Sequence, residues 1–321
     1  MFSLLLKDPL RILAAAGKQV SFSEVAMTNR YLNAKELCSI PAVRHRVFLA
    51  IDKAYKYGKD PNELNLPEGA SITTTMTSGF GFIPDLSLQA ICLAPDRSLG
   101  YSQVLIAVRG TREMAQWNTN MQFVPAETHF GLRGHAGFLK MATSCFEELF
   151  FILGQREDLR ITNDQFLFVG HSLGGALSHI FSVFMNERLS SLGSRSSQVV
   201  NITLGQPSVW HTTPIFPKRG RSHLRAEAMI GRDNIVRVIV DGNKNQDPIT
   251  VLNQAGSGLV SVLSFVSGSV RNVGIFKHIG WEWKGRVATD KVICHDMAFY
   301  ALIMLNDVVL QDSDFELSLH M

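Results

Sequence analysis

One serine of the sequence stands where nucleophilic chemistry is expected. Gly170-His171-Ser172-Leu173-Gly174 fits the pattern G-x-S-x-G, in which the chain turns sharply from a strand into a helix. The glycines leave room for that turn, so the hydroxyl of Ser172 projects above the sheet at a helix N-terminus. Unpaired backbone N–H groups and the helix dipole favour negative charge at that point. The pattern therefore predicts that Ser172 is a catalytic nucleophile.

A serine hydroxyl needs a general base, and that base needs an orienting carboxylate. In hydrolases that carry this turn, the chain order is serine, then Asp or Glu, then histidine. Asp241 and Asp247 both follow a predicted strand after Ser172. His278 and His295 follow these acids, before the C-terminal tail. Chain order alone leaves two residues open for the acid and two for the base.

Strands that alternate with helices must position these residues. The predicted strands are Val104–Val108, Phe166–Val169, Val199–Leu204 and Ile235–Val240. The predicted helices cover 113–123, 135–154, 175–186 and 296–309. The strand before Ser172 is wholly apolar, which is typical of a buried parallel strand. The alternation predicts an α/β fold with a mostly parallel central sheet and helices on both faces, in one domain.

The N-terminal part of the chain has a different pattern. Residues 1–75 are predicted to form a mainly helical segment that packs on the catalytic unit, residues 76–321. At the start of that unit, Ala90–Ala94 and Val104–Val108 flank turn-forming residues and predict an antiparallel hairpin. The apolar run that opens the chain is interrupted at Lys7, so no cleavable signal peptide is predicted. We expect a cytoplasmic protein or one exported without such a signal.

Composition excludes several other function classes. Of 321 residues, 46% are hydrophobic and 18% are charged, which argues against disorder. The net charge is only +3 and includes no basic block, so nucleic-acid binding is not expected. The cysteines form no CxxC pair, which argues against zinc and favours buried reduced thiols. They are Cys38, Cys92, Cys145 and Cys294.

Seven short motifs carry a resemblance to a known family. They are Val108-Arg109-Gly110-Thr111, Trp117-Asn118-Thr119-Asn120-Met121, His135-Ala136-Gly137-Phe138, Gly170-His171-Ser172-Leu173-Gly174-Gly175, Thr203-Leu204-Gly205-Gln206-Pro207, Asp247-Pro248-Ile249 and His295-Asp296-Met297-Ala298-Phe299-Tyr300. Over about residues 85–300 the sequence resembles the class 3 lipases, the fungal-type triacylglycerol lipases within the α/β-hydrolases. The resemblance implies an α/β-hydrolase fold and a serine carboxylester hydrolase that acts on lipid esters.

The resemblance also implies a role for each catalytic residue. Ser172 would be the nucleophile, Asp247 the orienting acid and His295 the general base. Asp247 is favoured over Asp241 by the Pro-hydrophobic tail that follows it, although a longer segment than usual separates it from its strand. His278 matches an H-x-G-x-E element that is structural in the family. No metal or organic cofactor is implied.

Two backbone donors must meet the oxyanion that forms during ester hydrolysis. The first expected donor is the N–H of Leu173, which follows the nucleophile. The second, implied by the resemblance, is Thr111, through its N–H and its hydroxyl. Arg109 in the same motif is expected to be a structural ion-pair residue.

Two further segments are candidates for contact with lipid. Residues 113–123 align with the helical lid of the family, and Met114, Trp117 and Met121 would share one apolar face. The alternative is a helix docked permanently on the core. Residues 256–270 look like an insertion, and with Leu263 and Phe265 would form an acyl-pocket wall or an interfacial anchor. The alternative for this segment is an additional buried helix or strand.

The sequence alone does not select one substrate. The expected partner is a lipid ester, with possible transient contact with a membrane or lipid interface and an unknown oligomeric state. A phospholipase A1 and a small-ester or feruloyl esterase are alternatives within the hydrolases. A catalytically inactive lipid-binding relative is the alternative outside them.

Overall fold

The computed structural model describes residues 31–57, 71–77, 87–93, 95–110, 125–193, 198–212, 221–242, 275–287 and 297–305. The α-helices in these ranges are α1 (Ala34–Ser39), α2 (Pro41–Tyr57), α3 (Ala136–Gln155), α4 (Leu173–Ser191), α5 (Ser222–Ile230) and α6 (Met297–Leu305). The strands are β1 (Ser71–Thr77), β2 (Ser87–Cys92), β3 (Gln103–Val108), β4 (Pro125–Glu127), β5 (Arg133–His135), β6 (Gln165–His171), β7 (Val199–Leu204), β8 (Trp210–Thr212), β9 (Ile235–Gly242), β10 (Ile275–Lys277) and β11 (Trp281–Val287).

A seven-stranded sheet forms the centre, in the order β1-β2-β3-β6-β7-β9-β11. The strands from β3 to β11 in this order are parallel. The predicted antiparallel hairpin is confirmed, because β2 pairs antiparallel with β3, and β1 continues that edge. The carboxyl ends of the parallel strands therefore meet at one edge of the sheet, where α/β proteins bind their ligands.

A second, four-stranded sheet was not predicted from the sequence. Its order is β10-β8-β5-β4, its pairs are antiparallel, and each strand has three residues. Strands this short have too few residues for hydrophobic alternation to stand out from loop sequence. Only tertiary pairing defines them.

The central sheet is covered on both faces, as predicted. In β3, Val104, Ile106 and Val108 pack on the face covered by α3, α4 and α5, which we call the α4 face. Leu105 and Ala107 point to the opposite face, covered by α1, α2 and α6, which we call the α2 face. This alternation follows from the two-residue period of a strand. The buried strands thus separate two apolar layers.

Several predicted elements are confirmed with shifted bounds. The helix predicted at 135–154 is α3, and the helix predicted at 175–186 is α4, which begins earlier, at Leu173. The helix predicted at 296–309 is described from Met297 to Leu305. Cys38, Cys92 and Cys145 are buried free thiols, and burial raises their pKa to about 12, 11 and 11. Cys294 lies outside the described residues.

None of the helices in the described ranges has both the length and the apolar character that a membrane span requires.

Candidate active site

Ser172 lies between β6 and α4 with a strained backbone. Its φ is 60° and its ψ is −129°, and in the described part of the chain it is the one non-glycine residue with positive φ. Such a conformation costs about 1–3 kcal/mol and is kept where the surrounding structure imposes it. The Ser172 N–H donates to the Leu204 carbonyl at 2.9 Å, and the Ser172 carbonyl accepts from Ala176 N–H at 3.2 Å. The serine is buried, with 5% of its surface exposed.

Two glycines allow the strand and the helix to meet this closely. A Cβ on Gly170 would lie under 3.0 Å from the backbone of Gly174. A Cβ on Gly174 would lie under 3.0 Å from the carbonyl of Val108 and the nitrogen of Gly110. Backbone therefore packs directly on backbone at both positions. The turn that carries Ser172 is in this way fixed against the end of β3.

The N-terminus of α4 offers hydrogen-bond donors at this turn. The first N–H groups of a helix have no partner within the helix, and the N–H of Leu173 is the first of them. The side chain of Ser172 makes no capping hydrogen bond to α4, so its hydroxyl is not used to close the helix end. The helix dipole adds partial positive charge there. This end of α4 suits an oxyanion that forms beside Ser172.

His171 points to the α2 face, since it alternates with Gly170 along β6. Its Nδ1 lies 2.9 Å from the hydroxyl of Tyr55 in α2. On the other side its ring meets that of Tyr300 in α6, with centroids 5.3 Å apart. No motif in the sequence predicts these contacts. The residue before the nucleophile is therefore held by two helices that lie far apart in sequence.

A buried polar network lies below the turn on the α4 face. Trp210 donates its indole N–H to His179 Nε2 at 2.8 Å. An indole nitrogen only donates, so the ring proton of neutral His179 lies on Nδ1, which is 2.9 Å from Asn201 Oδ1. Burial lowers the pKa of His179 to about 4. The network joins α4 to β7 and β8, and no sequence motif predicts it.

The candidate acids and bases differ in their place on the sheet. Asp241 lies within β9, opposite Arg286 of β11, whereas Asp247 follows the end of that strand. His278 precedes β11, which begins beside Val236 near the start of β9. His278 is therefore at the amino edge of the sheet, away from Ser172 at the carboxyl edge.

Residues 105–252 match the family Lipase (class 3). The matched segment begins in β3 and includes Thr111, Ser172, Asp241 and Asp247, while His295 follows it.

One curated relative matches a smaller part of the chain. Phospholipase A1 PLIP2, chloroplastic, from Arabidopsis thaliana is 30% identical over 105 residues. These residues are 32% of this chain and 14% of the relative, so the chain spans only a small part of that protein's length.

Solved structures of lipases share the fold of this chain. The Rhizomucor miehei triacylglyceride lipase superposes with a TM-score of 0.54 at 20% identity, over 79% of this chain and 82% of that one. M37 lipase gives a TM-score of 0.52 at 12% identity, over 87% of this chain and 96% of that one. At such identities the likeness concerns the fold, which is the predicted α/β-hydrolase fold.

Most other predicted site residues lie outside the described residues. Ser172 and Leu173 are described, and they lie together at the turn. Those outside are Thr111, Met114, Trp117, Met121, Asp247, Leu263, Phe265 and His295. Their roles stay predictions from the sequence.

Proposed function

We propose that this chain is a serine carboxylester hydrolase that acts on lipid esters through an acyl-enzyme. The observation that carries the proposal is the strained Ser172 at the start of α4, fixed against the end of β3. Strain of this kind at a buried serine is expected where a hydroxyl must be aimed at a substrate. The match of residues 105–252 to the family Lipase (class 3) supports the choice of lipid esters.

In the first half-reaction, Ser172 Oγ attacks the ester carbonyl carbon while His295 accepts the hydroxyl proton. Asp247 orients His295 and stabilises the imidazolium. The carbonyl oxygen becomes an oxyanion that accepts hydrogen bonds from the N–H groups of Leu173 and Thr111. When the tetrahedral intermediate collapses, the ester C–O bond breaks and His295 protonates the departing alcohol.

In the second half-reaction, water attacks the acyl-enzyme while His295 again accepts a proton. The bond between Ser172 Oγ and the acyl carbon breaks, the fatty acid leaves, and the serine recovers its proton. The proton taken from Ser172 leaves with the alcohol and a proton from water replaces it, so the enzyme returns to its starting protonation state.

The position of each candidate supports Asp247 and His295 as partners of Ser172. Asp247 follows the carboxyl end of β9, and His295 precedes α6 after the carboxyl end of β11. Both strands run parallel to β6, so these connections leave the sheet at the edge that carries Ser172. His278 precedes β11 at the other edge.

Contact with a lipid interface forms part of the proposal. Met114, Trp117 and Met121 would cover the acyl pocket as a lid that opens on a lipid surface. Leu263 and Phe265 in the inserted segment would line the pocket or anchor the enzyme at the interface.

Phospholipase A1 activity is the second candidate for the same site. The observation in its favour is the 30% identity with the Arabidopsis thaliana phospholipase A1 over 105 residues. Both activities use the same ester chemistry and differ in the head group accepted. Release of fatty acid from triacylglycerol emulsions and from phosphatidylcholine vesicles, measured side by side, separates them.

Hydrolysis of p-nitrophenyl butyrate tests the proposed function. We expect Ser172→Ala to lower kcat by at least about 10³-fold, because nucleophilic attack is lost while substrate binding remains. Asp247→Asn should lower kcat far more than Asp241→Asn, and His295→Ala far more than His278→Ala. A fluorophosphonate probe should label the wild-type chain and fail to label Ser172→Ala.

Undiminished turnover in Ser172→Ala would contradict the proposal. If the folded wild-type chain neither hydrolyses esters nor reacts with the probe, the alternative applies, and the chain is a catalytically inactive lipid-binding protein. Circular dichroism of each variant provides the control for folding.

A further inference from the structure

We propose that Tyr55 is a positioning residue that holds both halves of the oxyanion hole, an inference that rests on the proposed function of Ser172. Tyr55 lies near the C-terminal end of α2, in the N-terminal helical layer. It contacts the two backbone segments from which the two oxyanion donors are expected to come. No feature of the sequence distinguished it from a core residue.

The hydroxyl of Tyr55 bridges those two segments. The backbone N–H of Gly110 donates to it, and Gly110 is the residue before Thr111. His171 Nδ1 lies 2.9 Å from the same hydroxyl, and His171 is followed by Ser172 and Leu173. One half-buried tyrosine oxygen thus joins the end of β3 to the end of β6.

The direction of these hydrogen bonds follows from the donors available. Burial raises the pKa of Tyr55 well above its ordinary value of 10, so the hydroxyl keeps its proton at every working pH. The oxygen accepts from Gly110 N–H, and the hydroxyl has two acceptors within reach, His171 Nδ1 at 2.9 Å and the His171 carbonyl oxygen at 3.5 Å.

Gly110 is the point where such a bridge matters most. The N–H of Thr111 belongs to the peptide that follows Gly110, and glycine restricts the rotation of that peptide less than any other residue. A Cβ at Gly110 would lie under 3.0 Å from the Tyr55 hydroxyl and at 2.7 Å from the His171 carbonyl oxygen. The Tyr55 hydroxyl lies in the space that a side chain on Gly110 would fill. Its hydrogen bond with the Gly110 N–H limits the backbone rotation that glycine would otherwise allow.

The expected consequence is catalytic rather than only structural. Oxyanion donors stabilise the transition state because they are aimed before the charge develops. A loosened Gly110 lets the Thr111 N–H reorient, which weakens that interaction and leaves binding of the neutral ester unchanged. Loss of the bridge should therefore lower kcat and leave KM nearly unchanged.

Tyr101 provides a matched control. Its hydroxyl accepts the Leu32 N–H at 3.2 Å, and burial raises its pKa to about 12. It too joins the N-terminal layer to the rest of the chain, but it precedes β3, at the amino edge of the sheet. Tyr101→Phe removes a comparable buried hydroxyl from a place with no contact to either donor segment.

The experiment compares Tyr55→Phe and Tyr101→Phe in the full chain with p-nitrophenyl butyrate, with kcat expressed per active site titrated by a fluorophosphonate. We expect Tyr55→Phe to lower kcat about tenfold, below the 10²–10³-fold loss of a whole donor, with KM changed less than about twofold. The inhibition constant of a trifluoromethyl ketone, which forms a tetrahedral adduct with the serine, should rise in proportion. Tyr101→Phe should keep the wild-type kcat and inhibition constant, while both variants lose similar thermal stability.

An active chain in which Tyr55→Phe keeps the wild-type kcat would overturn the inference alone. An equal loss of kcat in Tyr101→Phe would also overturn it, because the effect would then be a general loosening of the N-terminal layer. A wild-type chain without hydrolysis or labelling would overturn the proposed function, and the inference with it. Because kcat is counted per titrated site, partial misfolding of a variant does not imitate the expected result.

Discussion

Ser172 and its flanking glycines explain why the turn tolerates so little side-chain volume. The helix that follows the serine approaches β6 at Gly170 and β3 at Gly174, and both contacts are made by backbone atoms. Backbone atoms cannot move aside as a flexible side chain can, so an added methyl group must shift the whole turn. At the residue scale, the geometry of the nucleophile depends on the absence of a side chain at Gly170 and at Gly174.

Gly174→Ala should therefore remove activity. We expect kcat for p-nitrophenyl butyrate to fall by at least about a hundredfold, because the shift separates Ser172 from the oxyanion donors. Thermal unfolding should also occur at a lower temperature.

Gly154→Ala in α3 is the control for this change. The added Cβ meets only Ile161 Cδ1, at an ordinary 3.8 Å. Alanine in a helix should stabilise the fold by about 0.5–1 kcal/mol and leave kcat unchanged. Wild-type activity in Gly174→Ala would contradict the account of the turn.

Helix α2 is joined to both α1 and α6 on the α2 face of the sheet. Buried Arg44 donates from Nε to the Met304 carbonyl of α6 at 3.1 Å and from Nη1 to the Cys38 carbonyl of α1 at 3.1 Å. Its guanidinium also lies over the Trp283 ring, 5.8 Å from the centroid. At the element scale, α2 fixes the helix that follows the proposed base as well as the turn before the proposed nucleophile.

Arg44→Met should reduce stability by about 2–6 kcal/mol in urea unfolding, because two buried carbonyls lose their donors at about 1–3 kcal/mol each. Methionine keeps most of the side-chain length, so the loss reports mainly on hydrogen bonding.

Arg46→Met on the same helix is the matched comparison. Arg46 pairs with Asp96 at 2.7 Å, and both side chains are partly exposed. Pairs of this kind contribute about 0–1 kcal/mol. Equal losses in the two variants would argue against a specific role for Arg44.

Buried neutral histidines link the stability of the whole molecule to pH. Burial lowers the pKa of His135, His179 and His211 to about 4, whereas the ordinary value is 6.5. Between these values the unfolded chain binds more protons than the folded one, so stability rises with pH in this window. The contribution is complete above pH 6.5 and is lost as the pH falls toward 4.

We expect the free energy of unfolding to fall markedly between pH 7 and pH 5. His179 alone should account for about 2 kcal/mol of that fall, given the two pKa values. His179→Gln should show a shallower pH dependence in urea titrations, whatever its absolute stability. If His179→Gln kept the wild-type dependence of unfolding free energy on pH, His179 would not be a source of that dependence.

The predictions that succeeded rest on local signals. Phe166–Val169 is wholly apolar and leads into two glycines around a serine, so its neighbours in sequence are enough to define a buried strand and a sharp turn. The hairpin between β2 and β3 follows in the same way from the turn residues between them. The three-residue strands of the second sheet carry no such local signal. Neither do His179, Asn201 and Trp210, which meet only because α4, β7 and β8 pack together.

By itself the sequence determined the chemistry available at Ser172 and the order of strands and helices around it. These are properties of neighbouring residues, since glycine freedom, strand period and helix termini all act within a few positions. The tertiary structure decided which distant residues support that chemistry. Parallel pairing determines which strand ends share an edge of the sheet. It therefore brings Gly110 and His171 together beside Tyr55, and it places His278 at the amino edge, away from Ser172. Packing across the α2 face then determines which side chains contact those strand ends. No short stretch of sequence contains that information.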